Sequence, residues 1–322
     1  SQASEKTTIG AGNVTIYAHW KAYTLTINYH NDGAETWLDY PSGKTIDITK
    51  KDIVKTETVA YDATYDHAVN GVLDVNRFTK TGYHSGNQWK VGSKDSTVLI
   101  SDQDGSVNNY GTNGQGIASF LGVKAELEKG DVTVELYPKF IANTYTVKFD
   151  KNGGVGTIKD QKFTYDQEQT LTGSTFSRTG YTFLSWNTKA DGSGTSYAAK
   201  ETVKNLTATN NGTVTLYAQW SINYYYLDLN GWLDGKSAGN ITGYGTADIY
   251  VDGVQKANDV TDFYQKIPYG SKYEIKDIKT VTGHTYVGVH SGSITGTIGA
   301  SNVGVVLEFK TNKYTVTFDK NK

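Results

Sequence analysis

At 322 residues the chain is long enough for more than one hydrophobic core, so several small domains are expected. A net charge of −2, from 31 Lys and Arg against 33 Asp and Glu with no basic cluster, argues against a nucleic-acid partner. The absence of cysteine excludes disulfides, thiolate zinc sites and thiol nucleophiles, and no apolar run reaches membrane-spanning length. With 35 Gly, 24 Tyr and only 3 Pro among recurrent Thr and Val, the composition favours strands and tight turns over helices, and the fold class is β-rich. The sequence holds no methionine and opens on Ser1, so it reads as a segment of something longer whose targeting signal or anchor lies elsewhere.

In chain order, one boundary recurs. An alternating strand ends on an aromatic, and a short link leads into a second alternating strand. The closing strands are NVTIYAHW to Trp20, VTVELYPKF to Phe140 and TVTLYAQW to Trp220; the opening strands are YTLTINYHNDG, YTVKFDKNGG, YYYLDLNGW and YTVTFDKNK. Within TVTLYAQW, Val214, Leu216, Ala218 and Trp220 share one face while Thr215, Tyr217 and Gln219 share the other, the period of a half-buried strand. The opening strands close on Asn-Gly or Asp-Gly, which predicts a turn there. The repeat divides the chain into the closing strand of a preceding unit (1–20), units over 21–141, 142–221 and 222–310, and the opening strand of a following unit (311–322). Links this short predict an elongated rod with neighbouring units in contact.

The segment 145–220, with YTVKFDKNGG at its start, RTGYTFLSWNT in its middle and TVTLYAQW at its end, resembles the Listeria–Bacteroides repeat, also called the internalin B-type repeat. The resemblance implies tandem β-grasp (ubiquitin-like) domains in secreted or wall-attached bacterial proteins, without catalysis. The unit 21–141 keeps the ends and a KTGYHSGNQWKV version of the centre, but carries a Gly/Asn/Asp-rich insertion between Val91 and Gly116. The unit 222–310 keeps LDLNG and a TGHTY echo, while most of its body departs from the pattern; it reads either as a diverged repeat or as a distinct domain.

Trp186 and its counterpart Trp89 are expected to anchor cores, and Trp20, Phe140 and Trp220 share a structural position. Trp232 is expected beside a hairpin turn. With Tyr244 and Tyr250 it forms a candidate glycan-contact set, the alternative being a local hydrophobic cluster. Asp102, Asp104, Ser106 and Asn108 place oxygen side chains at alternate positions around Gly105, as calcium loops do, although the bidentate Glu of a full loop is missing and an ordinary turn explains the same residues. No other cofactor is implied. The Gly-Lys-Thr at 43–45 and Gly-Lys-Ser at 235–237 lack the first glycine of a phosphate loop, and no HExxH or GxSxG motif occurs. The expectation is therefore a non-catalytic, extracellular stalk or adhesin segment. Its partners would be neighbouring repeats, other copies in a fibre, glycans or a host surface. A carbohydrate-binding module centred on 222–310 is the alternative.

Overall fold

A computed structural model of the chain describes residues 22–39, 42–60, 77–101 and 121–320, together with Gly12 and Tyr17. They fall into two compact units: Ser1–Thr144 with Thr164–Asp166 and Thr207–Asn211, and Tyr145–Phe163 with Gln167–Leu206 and Gly212–Lys322.

The first unit runs β1 (Thr24–His30), β2 (Thr36–Leu38), β3 (Thr45–Asp47), β4 (Ile53–Ala60), β5 (Phe78–Thr79), β6 (Tyr83–Val91), β7 (Leu99–Ser101), the one-turn helix α1 (Lys124–Leu127) and β8 (Val132–Ala142). Its main sheet has the order β4-β1-β8-β6-β7, with β1 and β8 parallel at the centre, and β3-β2-β5 form a smaller sheet. Alternation puts Leu25, Ile27 and Tyr29 on one face of β1, where they pack with Val134 and Leu136 of β8. Trp89 is fully buried at the middle of this core, edge-on to Tyr29 and Phe78 at 5.3 and 5.4 Å. Asp32-Gly33 makes the predicted turn, both residues at positive φ.

The second unit holds two sheet systems. The first of them comprises β9 (Thr144–Asp150), β10 (Gln161–Thr164), β11 (Gln169–Thr170), β12 (Tyr181–Asn187), β13 (Ser196–Tyr197), β14 (Thr202–Val203) and β15 (Gly212–Ile222), of which Thr144 and Thr164 group with the first unit. The order β10-β9-β15-β12-β13 again sets the first and last strands parallel at the centre. Leu171 beside β11 and Val203 on β14 close the core over Trp186.

The second system comprises β16 (Tyr224–Leu233), β17 (Lys236–Gly239), β18 (Gly245–Val251), β19 (Val254–Val260), β20 (Phe263–Pro268), β21 (Lys272–Thr280), β22 (His284–Ser291), β23 (Thr295–Thr297) and β24 (Val303–Thr311). One sheet orders β17-β16-β24-β22 with β20 also on β16, and a second orders β19-β18-β21-β23. Leu227, Leu229, Val305, Leu307 and Phe309 from the first meet Ala247, Ile249, Val251 and Ile275 from the second, giving a two-layer core.

Residues 224–311 thus share the strand plan of the other two systems despite their divergent sequence. In all three the opening and closing strands are parallel neighbours, and the closing strand pairs antiparallel with the strand that follows Thr-Gly. Register agrees residue by residue: Ser85 faces Phe140, Phe183 faces Trp220 and Tyr286 faces Phe309. Trp89 and Trp186 are likewise equivalent, facing Pro138 and Ala218.

Two local expectations are corrected. Asn230-Gly231 is not a turn; β16 runs on through Leu233, and Asp234-Gly235 at positive φ make the turn into β17. Gly231 is needed for close approach, since a Cβ there would lie 2.6 Å from the Asn240 carbonyl oxygen. Trp232 consequently lies inside β16 and precedes the hairpin turn at Asp234-Gly235 instead of following a turn. Residues 312–320 are in no strand, and the Tyr314, Val316 and Phe318 side chains are exposed. Trp20 lies outside the described residues.

Candidate functional site

With Leu227, Leu229 and Gly231 of β16 facing the core, alternation turns Tyr226, Asp228, Asn230 and Trp232 to the opposite, solvent face of the sheet. Burial of Val305, Leu307 and Phe309 likewise turns Gly304, Val306 and Glu308 of β24 outward. On this face Tyr226 stacks on Tyr264 of β20 with centroids 4.1 Å apart and planes at 7°, and the Lys266 ammonium lies 5.6 Å from the Tyr226 ring centre. Toward the other end Trp232 stacks on His290 of β22 at 3.9 Å and 10°, and the Glu308 carboxylate stands 3.7 Å from His290 Nδ1. Between the two aromatic pairs lie Asp228 and Asn230, paired with Gly304 and Val306. Six residues of strand separate Tyr226 from Trp232, about 20 Å at strand rise. Two aromatic pairs flanking a strip of carboxylate, amide and small side chains suit a ligand with apolar ring faces and hydroxyls at its edge.

The structure does not bring the sequence-predicted set together. Tyr244 is 8 % exposed and packs against Phe309 at 5.4 Å, with its hydroxyl donating to the Asn240 carbonyl; burial raises its pKa. It is a core residue and is withdrawn as a glycan contact. Tyr250 lies on β18 in the other sheet, its ring under the Lys276 ammonium at 3.9 Å, and it lines an open cleft of about 410 Å³ with Gly253, Lys272, Tyr273 and Glu274. Only Trp232 of the three stands on the aromatic face. Tyr226, Tyr264 and His290 were missed, although period-2 reading of YYYLDLNGW sets Tyr226, Asp228, Asn230 and Trp232 opposite the apolar positions. Asp102, Asp104, Ser106 and Asn108 lie outside the described residues, and among the described residues no three His, Asp or Glu side chains group to hold a metal.

Elsewhere charged groups serve the fold. His30, 5 % exposed, sits between Glu135 (2.5 Å from Nε2) and Asp52 (3.2 Å from Nδ1) and stacks on Tyr137. Asp234 accepts from the Thr311 hydroxyl and amide at 2.7 and 3.0 Å, and these bonds lower its pKa. Asp259 is lowered by its bond to Lys279. A carboxylate whose folded pKa is depressed stabilises above its unfolded pKa and loses that contribution as pH falls through the folded one. The second unit should therefore weaken as pH drops from about 4 downward. In urea titrations at several pH values Asp234→Asn should flatten that fall; an unchanged slope would exclude Asp234 as a contributor.

Fold and face together define a β-rich repeat segment built on one recurring strand plan. Residues 145–219 match the model of the Listeria-Bacteroides repeat domain. Two proteins of Evansella cellulosilytica, both described as membrane proteins and one as Gly-rich, are similar to this chain. The first is 27% identical over 66% of this chain and 35% of its own length, the second 30% identical over 45% and 16%. The chain therefore spans about a third of the first relative and less of the second. Among solved structures, the Bacillus anthracis TIE protein aligns over 90% of this chain and 51% of its own at 12% identity and a TM-score of 0.30. Streptococcal SHIRT domains 3-4 from a cell surface protein align over 53% and 99% at 14% identity and a TM-score of 0.20. No described helix is long and apolar enough to cross a membrane.

Proposed function

We propose that the chain is a non-catalytic segment of a bacterial surface protein, in which β-grasp modules in series space or present a binding function. The observation that carries this reading is one strand plan used three times, with a single residue, Asn143 or Asn223, between the closing strand of one sheet system and the opening strand of the next. On this reading 222–310 is a diverged repeat, 1–20 closes a preceding repeat and 311–322 opens a following one. The links are too short for free tumbling, so the modules form an elongated rod outside the cell. The family match at 145–219 supports it, as does the description of two relatives as membrane proteins. Neighbouring repeats, other copies in a fibre and a host surface are its partners. Small-angle scattering of the whole chain should give the distance distribution of a rod with a long tail; a symmetric, globular distribution would overturn the proposal.

A second reading is favoured by the aromatic face of residues 224–311. Its paired rings and central Asp228 and Asn230 make this module a carbohydrate binder carried by the array. On a glycan array the whole chain should bind at least one sugar class, and Trp232→Ala should weaken that binding at least tenfold, since it removes half of one stacked pair. Binding unaffected by Trp232→Ala would remove the face from consideration. Silence across the array would leave the spacer reading alone.

A further inference from the structure

Within the second unit, β15 hands over to β16 through an unusual arrangement. The Asn223 amide donates to the Gly180 carbonyl at 2.8 Å, and the Asn223 side-chain oxygen accepts from the Thr182 hydroxyl at 2.7 Å. The Asn223 carbonyl then accepts from the Tyr269 amide at 2.9 Å. The Tyr269 ring lies on Gly180 and meets Tyr181 edge-on at 6.1 Å. Gly180 has φ +78°, and a methyl group there would collide with that ring. Glycine is therefore required both by the backbone and by the tyrosine that covers it. Tyr269 directly follows β20, the strand antiparallel to β16.

The same set recurs within the first unit, which takes in Tyr165. Asn143 donates to the Gly82 carbonyl at 2.8 Å, its side-chain oxygen stands 2.8 Å from His84 Nδ1, and its carbonyl accepts from the Tyr165 amide at 2.8 Å. The Tyr165 ring covers Gly82, φ +78°, and meets Tyr83 edge-on at 5.9 Å. Tyr165 also directly follows the strand beside an opening strand, β10 next to β9.

At the end of β24 half of the arrangement is in place. Asn312 donates to the Gly283 carbonyl at 2.8 Å and accepts from the Thr285 hydroxyl at 2.6 Å, and His284 takes the place of Tyr83 and Tyr181. Gly283 has φ +91°, and a methyl group there would meet open space. The chain then reads KYTVTFDK, as TYTVKFDK follows Asn143.

We propose that Gly283, His284 and Asn312 form a docking seat for one occupant: the tyrosine that ends the second strand of a repeat opening at Tyr314. This rests on the reading that 311–322 opens a further repeat, and it names the contact by which that repeat is held. The tyrosine ring covers Gly283, and its amide donates to the Asn312 carbonyl.

The test is a chain continued after Lys313 by a second copy of residues 145–222, whose Tyr165 supplies the occupant. Because the chain has no cysteine, spin labels can be placed at Lys256→Cys and at Lys159→Cys of the appended copy, both exposed positions. Pulsed-EPR distances should be narrow. Tyr165→Ala in the appended copy, which leaves the seat untouched, should at least double the width, and Gly283→Val should do the same. A broad distribution in the parent, with the copy folded by its own tryptophan emission, overturns the seat; so does a width that Tyr165→Ala leaves unchanged. Scattering of the unextended chain decides the spacer reading independently, so the two failures are distinguishable.

Discussion

Trp186→Ala should destabilise its sheet system by about 3–5 kcal/mol, the range for truncating a large buried aromatic. Trp186 is fully buried, with Phe149, Phe183 and Phe176 at 4.8, 4.9 and 5.9 Å between ring centres. Its indole nitrogen donates to the Thr172 carbonyl at 3.2 Å, so truncation leaves both a cavity and an oxygen without its donor. Trp186→Phe should recover part of the loss by refilling the cavity. Since a chain with several cores need not unfold in one step, the measurement is hydrogen exchange resolved over 145–222 rather than a single melting point. Unchanged protection there would contradict the placement of Trp186 at the core.

Asn187→Ala should cost about 3 kcal/mol, an effect its neighbour's bulk does not share. Asn187 is fully buried at the end of β12. Its amide donates to the Gly192 and Gly194 carbonyls and to the Ser196 hydroxyl at 3.1, 3.2 and 2.9 Å, while its oxygen accepts from the Lys189 and Gly194 amides at 2.8 and 3.0 Å. One side chain thus satisfies the loop that leads into β13. Asn187→Asp keeps the acceptors, loses the donors and buries charge, so it should be no better than alanine. Exchange and proteolysis at 188–195 read the effect; if both variants leave the loop as protected as before, the network does not hold it.

These two neighbours also show why some features were legible and others not. Trp186 stood out because a large aromatic in an alternating strand has few options besides a core, and Trp89 met the same constraint. The opening and closing strands were legible wherever apolar alternation repeats, but the shared plan of 222–310 was not, because most of its body departs from the pattern. Gly231 was misread because Asn-Gly usually signals a turn, whereas here glycine admits the Asn240 carbonyl; that requirement comes from a residue nine positions on. Tyr244 was misplaced because tyrosine is equally at home at a surface and in a core when its hydroxyl finds a carbonyl, and only packing against Phe309 decides. The tyrosine-on-glycine contact left a trace in the Thr-Gly and Asn positions. Its covering ring comes from Tyr269, far along the chain, so local spacing does not disclose it.

The central claim, modules in series that each fold on their own core, is tested most directly by stretching single molecules of the whole chain from its two ends. The account predicts separate force peaks, one for each sheet system, with contour-length gains of roughly 25–40 nm. A single peak releasing the whole length at once would contradict it, because the chain would then share one core and could not act as a row of spacers.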